Sequence, residues 1–292
     1  MLNMRKIMLI PIVVAIFAIQ SISAQVVAPS GTIDSTIMVC DYVVRQCLNT
    51  ALDIESDNSY MQKFRLEIGK TCSKYYHPRT DQYERIKSDP KLWEAYSAQL
   101  NQALARSSNR MMDFKPLSLE EPEVVYSNYP KGRRTVQDAV FTDRYIYSED
   151  NDRPEWKILP DTADIMGYTC HKATCHYRGR DYIAWFSSDI PTDKGPWKFS
   201  GLPGLIFKIQ DVGKHYIFEL QSLKQEVIPI EYTEHKGIKY NLTDRKKLLR
   251  MKAKMKRIGV SGYAQMSTTG SMSVNSTDFG GGDNDLLETD YK

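Results

Sequence analysis

The chain has no glycine-rich phosphate loop, no Gly-x-Ser-x-Gly elbow and no His-Glu-x-x-His. The usual signatures of nucleotide binding, serine-hydrolase chemistry and zinc peptidase chemistry are therefore absent. Histidine is scarce, at five residues, and His77, His215 and His235 stand alone in the text, a pattern of surface or hydrogen-bonded side chains. Nothing after residue 24 is long and apolar enough to span a membrane, and no internal period marks a solenoid or propeller. Acid pairs such as Glu120-Glu121 lie in polar text and read as solvated. An excess of charge is missing too. The formal charge of +3 falls to +1 once Arg5 and Lys6 are removed with residues 1–24, which hold no acid, so no nucleic-acid partner is implied.

With 292 residues, 41% of them apolar, the chain can bury a sizeable core. It opens like an export signal: Arg5 and Lys6, an apolar run over residues 9–19, then Ile22-Ser23-Ala24 with cleavage expected before Gln25. No cysteine follows the cut, so a lipid anchor is not expected. The mature chain reads as soluble and exported, to the periplasm or cell envelope. Five cysteines (Cys40, Cys47, Cys72, Cys170, Cys175) survive cleavage, and their odd number leaves at least one unpaired.

Residues 37–47 and 64–76 read as strands. A hairpin centred on Ser56 would set Cys40 opposite Cys72 and permit a disulfide, which a one-residue slip would remove. A helix follows over about 90–106, with Asp89 as N-cap, Pro90 at the first helical position, and Leu92, Trp93, Tyr96, Leu100 and Leu104 at helical spacing. That stripe suits packing on a sheet or lidding a cavity. Strands are expected at 135–147, 157–159, 167–177, 182–186, 205–209 and 215–223, with four-residue turns at Arg178-Gly179-Arg180-Asp181 and Asp211-Val212-Gly213-Lys214.

A basic helix over about 244–258, capped by Thr243, carries the stripe Leu248, Met251, Met255 and Ile258 and eight Lys or Arg on its other faces. Those cations suit a solvated face or weak contact with an anionic surface. Residues 266–292, rich in Ser, Thr and Gly and then acidic, are expected to be disordered, leaving a single β-rich domain over 25–265.

Cys170-His171 and Cys175-His176 pair soft and imidazole ligands. On a strand, however, Cys170 and His176 face one way and His171 and Cys175 the other. Each same-face pair lies roughly 13–20 Å apart at about 3.3 Å per residue, so no metal, no cofactor and no Cys170–Cys175 bridge is expected. A local loop gathering the four ligands for a metal-dependent enzyme or hydrolase is the alternative.

The most distinctive passage is WFSSDIPTDKGPWKFSGLPGLIFKI, residues 185–209, ending near Gly201-Leu202-Pro203-Gly204-Leu205-Ile206. In the segment Leu202-Pro203-Gly204-Leu205, Pro203 suits the second position of a type II turn and Gly204 a positive φ at the third; Gly201 suggests a close backbone approach. Preceding it in order are Gly167-Tyr168-Thr169-Cys170, Lys172-Ala173, Arg178-Gly179-Arg180, Tyr182, Ala184-Trp185-Phe186, Ile190-Pro191 and Gly195-Pro196. Together these resemble the GLPGLI family of exported Gram-negative envelope proteins, over about residues 156–225. The resemblance implies compartment but no activity, and His171, Cys175 and His176 lie outside its pattern.

The fold expected is mainly β (α+β): a strongly curved antiparallel sheet or half-open barrel, with an inserted amphipathic helix and a C-terminal helix. The expected function is non-enzymatic binding of an apolar ligand, or of an envelope or outer-membrane protein. The binding lip would comprise Trp185, Phe186, Pro196, Trp197 and Phe199, continued by Leu202, Pro203, Gly204 and Leu205. A purely packed corner is the competing reading of the same residues.

Overall fold

Seventeen residues, Gly31–Cys47, form β1, the strand from which the sheet spreads. Val39, Cys40, Tyr42 and Val44 are buried along it, while Asp41 and Arg45 pair across the other face with Arg65 and Glu219 of the neighbouring strands. The structure is a computed structural model describing residues 31–47, 59–106, 122–140, 143–234, 239–255 and 286–291, less the side chains of 100 and 103–106. The export segment 1–24, Glu120-Glu121, His235, Ile258 and most of the expected tail lie outside the described residues.

Beyond β1 come β2 (Ser59–Gly69), β3 (Ser73–Tyr76), α1 (Pro78–Ser88), α2 (Pro90–Arg106), β4 (Val124–Ser127), β5 (Arg133–Val140) and β6 (Asp143–Asp150). Then follow β7 (Lys157–Ile165), β8 (Tyr168–Tyr177), β9 (Arg180–Ser187), β10 (Leu205–Asp211), β11 (Tyr216–Lys224), β12 (Pro229–Tyr232) and β13 (Tyr240–Leu242). A third helix, α3, covers residues 245–255. The thirteen strands make one sheet in the order β13-β6-β5-β4-β3-β2-β1-β11-β10-β9-β8-β7, with β12 on β1; among the described residues it is not closed. Every pairing is antiparallel except β13 with β6. Strands far apart in this order nevertheless touch: Arg134 of β5 donates to the Tyr177 hydroxyl of β8 at 3.3 Å. One core joins Tyr42, Phe64, Tyr147, Phe186, Phe199 and Phe218.

Several expectations need correction. Register pairs Cys40 with Leu66, and all five thiols are free. The β1–β2 hairpin is centred on residue 53 rather than Ser56, and Cys72 lies past β2, beside Asp34. Residues 64–76 are two strands, as are 135–147, where no Gly or Pro marks the junction. The four-residue turn between β8 and β9 lies one residue earlier than expected, at 177–180, with Arg178 (φ +53°) and Gly179 (φ +83°) at its centre. Asp211–Lys214 does close with the expected Lys214 N to Asp211 O bond, 2.8 Å.

Asp89 caps α2, its Oδ1 accepting from Lys91 N at 2.9 Å. The described part of the apolar stripe behind that cap does not bury on the sheet: Leu92 and Trp93 are exposed, and Trp93 and Tyr96 lie edge-on to Tyr83 of α1. α1 itself carries few apolar residues and is held by charge. Lys74, 1% exposed, meets Asp81 at 3.2 Å, and Glu84 meets Arg144. The cap of α3 is Asp244, one residue beyond Thr243, through Lys247 N to Asp244 Oδ1 at 2.9 Å. The largest correction concerns residues 286–291. Leu286, Glu288 and Tyr291 are buried against the body of the fold rather than disordered.

Candidate functional site

The passage at residues 185–209 leaves β9, crosses a long loop and returns as β10, and most of its expected lip faces inward. Phe186, Trp197, Phe199, Leu202 and Leu205 are at most 2% exposed; Pro196 and Gly204 are buried, Trp185 is half-buried and Pro203 alone is exposed. Polar backbone of the loop is satisfied from outside it: Tyr42 donates its hydroxyl to Ile206 O at 2.7 Å, and Trp156 Nε1 donates to Ser200 O at 2.8 Å.

The two glycines of the motif exchange their expected roles. Gly201 takes the positive φ, +97°, and a Cβ there would meet nothing closer than 3.4 Å. Gly204 has no positive φ; a Cβ there would sit 2.1 Å from Ser187 O and 2.5 Å from its carbonyl carbon. Gly204 is thus demanded by the close approach of β9, and Gly201 by the turn.

Trp197 borders a cavity of about 280 Å³, open on one side and lined by residues of β1, β2, β5, β6 and β11 and of α3. Its wall is mainly apolar, with Val44, Phe64, Tyr147, Phe218 and Leu248, and Leu286 and Leu287 cover one side. Trp197 is 2% exposed and its indole N–H has no acceptor among the described residues. Three acids also reach the cavity, Glu123, Asp138 and Glu288. Asp138 is held by Lys252 of α3 at 2.8 Å, while burial, and then the nearby Asp138 carboxylate, push the Glu123 carboxyl up to about 8. Glu123 is therefore largely neutral at pH 7, a state in which it can donate a hydrogen bond.

Next to the cavity lies an ionic cluster that the sequence reading missed. Lys198, 1% exposed, donates to the Tyr147 hydroxyl at 2.9 Å and meets Glu149 at 3.2 Å and Glu288. Arg134, wholly buried, bonds Asp152 Oδ1 at 2.8 Å; Arg178 bonds the same carboxylate at 2.9 Å and Glu149 at 3.0 Å. Burial works against each charge, yet Lys198, Arg178 and Arg134 hold the Glu149 carboxyl below its ordinary range, and Glu288 with Glu149 raises Lys198. Only matched partners make such a cluster tolerable in the interior.

The Cys and His residues of β8 do not assemble. Cys170 and Cys175 are buried on opposite faces, with thiols pushed up to about 11 and 12 by burial, then by Asp164 and Asp181 respectively. His171 lies against Phe186 and exposed His176 pairs with Asp181 at 2.7 Å. Among the described residues no three Cys, His, Asp or Glu side chains converge as metal ligands. On α3, Arg245 meets Glu288 and Asp290 and Lys252 meets Asp138, while Lys246, Lys247, Arg250 and Lys254 are exposed, as a solvated face requires. Among the described residues no helix is long and apolar enough to cross a membrane.

A family described as "Protein of unknown function (Porph_ging)" matches residues 177–208, which include Gly201-Leu202-Pro203-Gly204-Leu205-Ile206. No curated protein matches the chain. Two solved structures, described as "Structure of PNGF-II in P21 space group" and "Structure of PNGF-II in C2 space group", are similar at 14% identity, with TM-scores of 0.45 and 0.44. Each alignment covers 77% of this chain and 34% of the solved chain, so this chain spans about a third of the length of the proteins it resembles.

Proposed function

We propose that this chain is an exported envelope protein of the GLPGLI type that binds rather than transforms, holding a small apolar ligand inside a strongly curved sheet. The observation that carries the reading is the cavity of about 280 Å³ with its apolar wall and the unanswered indole N–H of Trp197. A ligand suited to it is mostly hydrocarbon, with one hydrogen-bond acceptor for Trp197. Glu123 adds a group that titrates near neutral pH, so affinity changes with pH. The lip of the sequence reading thus becomes a wall, with Trp197 the one member of the expected set that lines this cavity. An envelope or outer-membrane protein partner would supply or receive the ligand.

Titration with the neutral fluorophore N-phenyl-1-naphthylamine tests the reading. Saturable one-to-one enhancement is expected, and Ala139→Leu, which places extra methyl groups into the cavity wall, lowers affinity at least tenfold. Because the added volume enters empty space, the variant loses less than about 1 kcal/mol of stability, whereas overpacking a filled core costs about 1–3 kcal/mol. Absence of saturable binding, or equal affinity in the variant, overturns the reading.

A further inference from the structure

Residues 286–291 pair with none of the described strands; side chains and one turn hold them. Arg180 donates Nη2 to Leu286 O at 2.7 Å and Nε to Leu287 O at 3.0 Å, so one guanidinium reads two successive carbonyls. Thr289 donates its N–H to Arg178 O and its hydroxyl to Gly179 O, both at 2.9 Å. Glu288 is gripped by Lys198 and by Arg245 at 2.6 Å, with Arg178 at 3.8 Å. Asp290 takes both nitrogens of Arg245, at 2.6 and 2.8 Å, and Arg250 Nε donates to Tyr291 O at 3.3 Å. Leu286 and Tyr291 close the ends against Leu249.

Charge and shape both single the segment out. Around Glu288 the cations Arg134, Arg178, Lys198 and Arg245 face two acids from the body of the fold, Glu149 and Asp152; Glu288 and Asp290 supply the other two negative charges. Without the segment, the groove holds two uncompensated positive charges, at a cost the interior tolerates poorly. Gly179 also serves it. A Cβ there would lie 2.4 Å from Thr289 Oγ1 and 2.8 Å from Asp290 N.

We propose that the groove between the Arg178-Gly179 turn, Lys198 and α3 is a peptide-binding site for acidic segments of the pattern Leu-Leu-Glu-x-Asp-Tyr, which the chain fills with its own residues 286–291. Backbone carbonyls, two carboxylates and apolar ends are each read by a dedicated group, as in peptide recognition by arginine clusters. The segment belongs to the same chain as the groove, so the internal copy competes intramolecularly with any added peptide. A competing peptide therefore enters only where the internal copy is weakened. Leu286, Leu287 and Glu288 also line the cavity, but the site is tested with a peptide and with no cavity ligand.

The test uses full-length protein and a fluorescein-labelled synthetic peptide of residues 283–292, followed by anisotropy. The labelled peptide is expected to bind the E288Q/D290N variant at least tenfold more tightly than wild type. Adding Arg245→Met to that variant is expected to abolish the gain. A folded E288Q/D290N protein that binds no peptide, or binds it equally well with Arg245→Met, overturns the proposal. Should the double variant fail to fold, a protease site inserted between Gly281 and Gly282 of the wild-type chain leaves every contact residue intact. After cleavage, exchange of the bound segment for labelled peptide within hours supports the site; unfolding of the cut protein, or no exchange over days, overturns it.

Discussion

Replacing Gly204 with alanine separates two accounts of the Gly201–Ile206 corner, because the structure assigns the steric demand to one glycine and the dihedral demand to the other. At Gly204 the new methyl carbon would lie 2.1 Å from Ser187 O, 2.5 Å from Ser187 C and 2.8 Å from Ser188 N. These are backbone atoms and cannot swing aside. Ser187 is fully buried and pairs with Leu205, so relieving the clash means moving β9 and β10 apart by about 1 Å at the point where the loop rejoins the sheet. Overpacking of this kind costs about 1–3 kcal/mol, and with no flexible neighbour the upper end, about 3 kcal/mol, is expected. At Gly201 alanine meets open contact at 3.4 Å but must hold φ near +97°, a strain of about 1–2 kcal/mol. Urea unfolding followed by tryptophan fluorescence measures both. With a slope of about 3 kcal/mol per molar, Gly204→Ala lowers the midpoint by about 1 M and Gly201→Ala by about half that. A Gly204→Ala midpoint within about 0.2 M of wild type, or a larger loss at Gly201, would refute the assignment.

Two further outcomes follow from the titrating groups. Glu123 is raised from an ordinary 4.5 to about 8, so between those values the folded protein holds a proton that the unfolded chain has lost. Stability should therefore fall as pH rises from 4.5 to 8, and Glu123→Gln should flatten thermal midpoints taken at pH 5, 6, 7 and 8; a wild-type profile already flat sinks the argument. Glu149 and Asp290, held below their ordinary range, stabilise above it and lose that contribution only as pH falls further, outside this interval. Burial is the main cause that pushes the Cys40 and Cys72 thiols up to about 12. All five cysteines should ignore Ellman's reagent in the native protein and give five equivalents after unfolding without reductant; fewer than five would mean a disulfide.

What could be read from the sequence was local. Asp89-Pro90 announces α2 because a cap and a proline act within one turn, and Arg178-Gly179 announces a hairpin because two residues carry the whole reversal. Register was not legible, since symmetry about Ser56 cannot foresee a hairpin centred on residue 53 or the irregularity between Thr36 and Met38. α1 escaped because periodicity sees apolar faces, whereas its inward side is Thr80 and Glu84, held through ion pairs with strands on either side of it in sequence. Residues 286–291 escaped for the same reason. Acidic composition after a Ser- and Gly-rich stretch reads as solvated until the cations that match it, 40 to 110 residues away, are known to share one groove.

That failure bears on the motif itself. Its apolar letters drew the functional reading, yet Phe199, Leu202 and Leu205 are ordinary core. The turn from Pro196 to Phe199 closes through Phe199 N to Pro196 O at 3.0 Å, with Trp197 at φ +53°, and sends both central side chains inward. Trp197 reaches the cavity; Lys198 reaches Tyr147, Glu149 and Glu288. A methionine at 198 would fill comparable space without the desolvation that a buried ammonium incurs, several kcal/mol before pairing. The cation is therefore explained by what it holds and not by stability alone: a carboxylate from β6 and another from residues 286–291, brought to the same nitrogen. The corner is scaffold, and the lysine that it encloses is the part able to recognise something.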